Sequence, residues 1–109
     1  MTHDFPESDW KVFRELREVA LDRFCKRILD DLETICKDKR QTNHEHYLAV
    51  WKLIQKRDKE VGLMFDDPRR SKMLWQLQDI YLHDLITEDE IEYFSDETKR
   101  AIGFPDRQK

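Results

Sequence analysis

The chain has very little turn-forming material: two glycines and three prolines among 109 residues. β-Sandwiches and barrels need such residues at every strand end. Their scarcity excludes those folds and points to long helices, which abundant Lys, Glu, Arg and Leu favour. So few glycines also exclude a glycine-rich phosphate loop. Cysteine is scarce too. Cys25 and Cys36 fall in one helical segment, roughly 16 Å apart along its axis, which is beyond disulfide reach. Two isolated thiols fit a reducing compartment. No apolar run approaches the ~18 residues of a membrane span. The N-terminus, Met1-Thr2-His3-Asp4-Phe5-Pro6-Glu7, lacks the basic region and apolar stretch of a secretory signal. The expected location is the cytosol, without membrane association.

What is present is charge and aromatic surface. Charged residues make up 40% of the chain and apolar residues 39%, and the apolar positions are periodic enough to argue against disorder. The net charge of −4 is unevenly spread. Residues 1–36 carry −3, residues 37–72 carry +4 and residues 73–109 carry −5. A basic middle between acidic flanks means either complementarity between neighbouring helices or a basic face for an acidic partner.

The helices follow from periodicity and caps. Ser8 is an N-cap candidate for a helix from about Asp9 to Lys37. From Leu21 onward its seam runs Leu21, Cys25, Ile28, Leu32, Ile35, in steps of four and three. The earlier stripe of Val12, Phe13, Leu16, Val19 and Ala20 is rotated from it, so the two halves are expected to pack against different things. Thr42 and Glu45 form a capping box. The helix they open carries Tyr47, Val50, Trp51, Ile54, Val61 and Phe65 on one face and ends near Gly62 or Phe65. Asp67 as N-cap and Pro68 at the first position open a third helix to about Leu85. That helix has one stripe of Met73, Leu74, Leu77, Ile80 and Tyr81 and a second of Trp75, Leu82 and Ile86. Thr87 and Glu90 form another capping box, Ser95 caps a last short helix, and Gly103 is its C′ residue. The expected fold is all-α. A long helical hairpin, a third helix and two short C-terminal helices make a small bundle, a single domain over 1–109 with tails at 1–7 and 104–109.

Catalytic constellations are weak. His44 and His46 are two apart and diverge by roughly 200° on a helix, whereas metal ligands need three- or four-residue spacing. His3 and His83 have no sequence neighbours that make a site. Cys25 and Cys36 read as small apolar groups on or beside the seam. No carboxylate looks buried, and no catalytic residue, metal ligand or cofactor is assigned. Arg69, Arg70 and Lys72 are anomalous, because the positive end of a helix dipole disfavours cations. Either they contact an anion or an acidic partner, or Asp66, Asp67 and Glu60 neutralise them.

The stretch Phe65-Asp66-Asp67-Pro68-Arg69-Arg70-Ser71, followed by Leu77 and Leu85-Ile86-Thr87, resembles small helical bacterial proteins of unknown function. Asp9-Trp10-Lys11-Val12-Phe13 shares that likeness. The resemblance implies a bacterial cytosolic origin and transfers no activity.

Three tryptophans, six phenylalanines and three tyrosines, with the two-sided helices, give more apolar surface than one small bundle covers. The leading expectation is therefore a non-enzymatic helical protein that self-associates, most simply as a homodimer, or binds a protein partner. Trp10, Phe13, Leu16, Trp75 and Leu82 are the candidate interface. One alternative is a nucleic-acid-associated regulator using the basic segment 37–72. The other is an enzyme or ligand carrier with a pocket lined by His83, Tyr81 or Tyr47 and a buried carboxylate.

Overall fold

The computed structural model describes residues 5–105, and among them there are helices and no strand. Helix α1 spans Glu7–Lys37 and α2 spans Asn43–Phe65. A single 3₁₀ turn, Arg70–Lys72, runs into α3, Met73–Leu82. Two short helices follow, α4 at Glu88–Ile91 and α5 at Asp96–Ala101. The all-α hairpin-plus-helices architecture read from the sequence is what forms.

The cap chemistry explains most of these limits. Thr42 accepts from the Glu45 N–H while the Glu45 carboxylate accepts from the Thr42 N–H. Thr87 and Glu90 repeat that exchange at the start of α4. Ser95 accepts from the Thr98 N–H at the start of α5. At the other end of α5, Gly103 takes φ +89°. Its N–H bonds the Arg100 carbonyl, and the Phe104 N–H bonds the Lys99 carbonyl, the two bonds of a Schellman ending. Helix α3 closes in the same way through Asp84 at φ 61°, with Leu85 N–H on the Ile80 carbonyl.

The starts of α1 and α3 differ from expectation. Helix α1 starts at Glu7 with Pro6 at the cap position, so Ser8 lies inside the helix rather than capping it. Asp67 adopts φ 52° and makes the sharp turn itself, so it is no N-cap. Pro68 consequently lies outside the helix, and Arg70 to Lys72 form the 3₁₀ turn. Residues 1–4 and 106–109, including His3, lie outside the described residues. Of the rest of the expected tails, Phe5 and Phe104 pack against the core, and Phe104 sits 6.1 Å from the Tyr81 ring.

The core occupies one end of a molecule measuring 54 × 25 × 22 Å. Helix α1 contributes Phe13, Ala20 and Phe24, α2 contributes Met64 and Phe65, and α3 contributes Met73, Leu77, Ile80 and Tyr81. Leu85, Ile86, Ile91, Phe94 and Ile102 close it from the C-terminal segment. Each fully buried large side chain stabilises the fold by roughly 1.5–3 kcal/mol. Buried residues of α1 stop at Phe24 and those of α2 begin only at Met64. Beyond those points the two helices project as a hairpin whose members have only each other. The two halves of α1 therefore do pack against different things.

Polar side chains of α1 tie the C-terminal elements to it. Arg17 donates from Nε to the Phe65 carbonyl at 3.1 Å, and its Nη2 donates to the same oxygen. Arg27 donates to the carbonyls of His83 and Asp84 at 2.6 and 2.7 Å. Arg23 donates to the Leu85 carbonyl at 3.0 Å and grips Glu90 with both terminal nitrogens, at 2.7 and 2.8 Å. These arginines satisfy carbonyls that helix ends leave without partners. They also place cations at the negative ends of the α2 and α3 dipoles.

Candidate interaction surface

The projecting hairpin is built around a narrow seam. On α1 the half-buried residues past Phe24 are Ile28, Leu32 and Ile35. On α2 they include Ala49, Val50, Leu53, Arg57 and Val61. At 100° per residue, Tyr47, Trp51 and Ile54 fall about 80–140° beyond the centre of the α2 seam. Cys25, Leu29 and Cys36 fall about 60–100° beyond the centre of the α1 seam. Two antiparallel helices are related by an axis perpendicular to their common plane, so equal rotations from the seam bring both stripes to the same flank of the hairpin.

That flank is apolar and open to solvent. Leu29 is 63% exposed, Tyr47 65%, Trp51 54% and Ile54 46%. The face expected to carry α2 onto its neighbour therefore splits. Val50 and Val61 approach α1, whereas Tyr47, Trp51 and Ile54 turn away from it. Helix α2 is apolar over too wide an arc for one partner helix, and Ala49 and Leu53 take the seam because small or branched side chains let the backbones approach. Cys25 and Cys36 are both exposed, which corrects their reading as buried small apolar groups. The seam settles on Ile28 and Ile35 and leaves both thiols on the open flank.

Along the outer edge of α1 on this flank stand Asp22, Lys26, Glu33 and Lys37, all exposed. Lys26 reaches Asp30 at 3.0 Å and Lys37 reaches Glu33 at 3.4 Å, within the helix and open to solvent. The hairpin tip is held by polar contacts. Arg40 bonds the Asp38 carboxylate through Nε and Nη2 at 2.9 and 3.1 Å. That side-chain contact, with the Arg40 backbone N–H, lowers the Asp38 pKa to about 2. His46 Nε2 lies 2.6 Å from the Asp38 carbonyl, while His44 is exposed. The two histidines thus diverge as their spacing implies.

The residues singled out from the sequence are dispersed. Phe13 is fully buried in the core and so is removed from the candidate interface. It lies on the face of α1 that α3 and the C-terminal segment cover. Leu16 packs against the same core. Trp10 is half-buried, stacked on Phe13 at 5.7 Å, with the guanidinium groups of Arg70 and Arg14 over its ring at 5.2 and 5.8 Å. Trp75 and Leu82 are exposed, seven residues apart on the outer stripe of α3. Arg69 pairs with Asp67 at 2.7 Å, Lys72 lies 3.8 Å from the same carboxylate, and Arg70 pairs with Glu7. The acids that neutralise the cluster are Asp67 and Glu7. Glu60 instead binds Arg57, which also reaches Asp31 across the seam.

The basic middle of the chain is thus largely paired internally. Lys52, Lys56 and Lys59 have no ion pair among the described residues and point away from the apolar flank. His83, Tyr81 and Tyr47 do not converge. Tyr81 is in the core, Tyr47 is on the open flank, and His83 borders an open cleft of about 310 Å³ with Phe24, Arg27, Ile28, Asp31 and Arg57. Among the described residues one carboxylate is buried, contrary to expectation: Asp9, at the start of α1. It accepts from the Ser95 N–H and from the hydroxyls of Ser95 and Thr98, and so is committed to the fold. Among the described residues no group of three His, Cys, Asp or Glu side chains is placed to hold a metal ion, and no helix is long and apolar enough to cross a membrane. Comparison with known proteins finds no matching family model, no similar curated protein and no similar solved structure.

Proposed function

We propose that this chain acts by binding protein, through the open flank of the α1–α2 hairpin, rather than by catalysis. The observation that carries the reading is the set of large apolar side chains, Leu29, Tyr47, Trp51 and Ile54, left exposed together on one flank of a projecting hairpin. Solvent-facing aromatic and aliphatic groups grouped in this way mark association surfaces, and Trp and Tyr are enriched at the energetic centres of interfaces. The polar chemistry supports the same reading. Each titratable group displaced from its ordinary pKa among the described residues is displaced chiefly by a surface or part-buried ion-pair partner, such as Arg70 for Glu7 and Arg23 for Glu90. Such shifts are what structural salt links produce.

The test uses a photo-crosslinking amino acid placed at Trp51, with Lys56, on the opposite side of α2, as control. Irradiation in cells is expected to give a discrete protein adduct from position 51 and none from position 56. Equal yields from both, or none from 51, would remove the flank as a binding surface.

A further inference from the structure

We propose that the occupant of the flank is a second copy of this chain. Its hairpin lies antiparallel to the first about a twofold axis that crosses α1 near Leu29 and α2 near Ile54. This inference rests on reading the flank as a docking surface and adds the partner and its orientation.

The charge pattern selects the copy. Along the outer edge of α1 the signs run negative, positive, negative, positive at Asp22, Lys26, Glu33 and Lys37, with Asp30, the carboxylate that Lys26 holds at 3.0 Å, set further round the helix. Reversing the helix about a point between Leu29 and Asp30 exchanges Asp22 with Lys37 and Lys26 with Glu33. Each position then meets its opposite sign on the partner, giving four cross-copy pairs from one repeated surface, as a twofold interface requires. The existing Lys26–Asp30 and Lys37–Glu33 links are exposed helix pairs worth only a few tenths of a kcal/mol, so little opposes their rearrangement.

The apolar side chains obey nearly the same centre. Leu29 meets the Leu29–Leu32 region of the copy, and Cys25 comes level with Cys36 of the copy. On α2 the level of Leu29 and Asp30 corresponds to Ile54–Gln55, counted from the Asp38–His46 contact at the hairpin tip, and the long Arg57 side chain reaches Asp31 from about four residues further along α2. About that point Ile54 meets Ile54 of the copy. Trp51 comes level with Asp58, a carboxylate its indole N–H can reach. Tyr47 comes level with Gly62, where the absence of a side chain leaves room for the ring. The product is a four-helix bundle in which each apolar stripe gains the second face that its own hairpin leaves bare.

The other face-to-face arrangement has its twofold axis along the hairpin. It sets α1 over α2 of the copy and brings Asp22 level with Gly62, Lys26 with Asp58, Glu33 with Trp51 and Lys37 with Tyr47, so that of the four edge charges Lys26 alone meets its opposite, giving two cross-copy pairs where the antiparallel arrangement gives four. The core packs on the opposite side of α1, through Phe13, Ala20 and Phe24 and through the Arg23 and Arg27 contacts with the C-terminal segment, so the antiparallel overlap does not meet it.

The experiment combines light scattering with cysteine crosslinking on the full chain. Wild type is expected at twice the monomer mass of 13.4 kDa. Lys26→Glu and Glu33→Lys alone are each expected to weaken the dimer at least tenfold, and the double exchange K26E/E33K to restore it, with unchanged circular dichroism in all three. A short bismaleimide is expected to link an equimolar mixture of Cys25→Ser and Cys36→Ser chains, but neither variant by itself. In the antiparallel dimer the two Cys36 positions stand roughly 18 Å apart along the helix, beyond a short linker. A monomer at all concentrations, or crosslinking of Cys25→Ser chains by themselves, overturns the proposal. A monomer that still yields a position-51 photo-adduct with a different protein overturns this inference alone and leaves the binding function standing.

Discussion

The Asp9 carboxylate accepts from the Ser95 N–H at 2.9 Å and from the Ser95 hydroxyl at 2.7 Å, joining positions 86 residues apart. Thr98 adds its hydroxyl at 2.6 Å, and Asp9 and Thr98 are both buried. The first turn of the longest helix thus supplies the negative group that the N-terminus of the last helix favours. The contact closes the core with a tether that depends on no apolar surface. Removal of the carboxylate in Asp9→Ala leaves buried donors without an acceptor and is expected to cost about 2–4 kcal/mol. Asp9→Asn retains one acceptor, and both hydroxyls can rotate, so its loss should be about half as large. Urea unfolding followed by circular dichroism measures both, and a fall for Asp9→Ala of less than about 1 kcal/mol would show the tether to be incidental.

The Arg23–Glu90 pair makes a prediction about acid. The Arg23 hydrogen bond, helped by the Thr87 N–H, holds the Glu90 pKa below its ordinary 4.5. A depressed carboxylate stabilises the fold fully above its unfolded pKa, and the stabilisation is lost as pH falls through the lower folded value. Glu90→Gln keeps the capping geometry and removes only the charge. It is expected to lower stability by about 0.5–1 kcal/mol at neutral pH, a figure discounted because Arg23 is partly open to solvent. Near pH 3 the difference from wild type should shrink toward zero. Paired denaturant titrations at the two pH values supply the check, and a difference independent of pH would mean that the charge is not what matters.

How far these features were legible in the sequence depended on whether local chemistry or tertiary competition decided them. The Thr42–Glu45 and Thr87–Glu90 boxes, the Ser95 cap and the Gly103 ending were all readable, because each is settled within a few residues. The start of α3 was not. Asp67 is a good N-cap by residue type, and only the turn itself shows that it occupies φ 52° while Arg69 holds its carboxylate. Asp9 looked like an ordinary first-turn acid, since nothing near it announces Ser95 and Thr98. The exposed flank was hidden for the opposite reason. Helix α2 is apolar from Tyr47 round to Leu53, and periodicity alone cannot say which part of so wide an arc meets α1. The surplus of aromatic surface was visible. Its place on α2 rather than on Trp10 and Phe13 was not, because α3 and the C-terminal segment claim the first half of α1.

Gln76 shows what the core tolerates. Its side chain is fully buried, with Nε2 donating to the Asp66 carbonyl at 2.9 Å. Its Oε1 has no hydrogen-bond partner. An unmatched buried acceptor carries a desolvation cost of about 1–3 kcal/mol, against the roughly 1 kcal/mol that a single neutral hydrogen bond returns. Replacing the amide with a methionine of similar length removes both terms. The Asp66 carbonyl still has Lys72 Nζ at 3.4 Å, so it is not abandoned. Gln76→Met is therefore expected to unfold within about 1 kcal/mol of wild type, and on the stabilised side if the orphaned oxygen dominates. A loss of more than about 2 kcal/mol would show that the turn from α2 into α3 depends on the Gln76–Asp66 bond. In that case Gln76→Glu, which removes the donor but keeps the shape, should be at least as damaging.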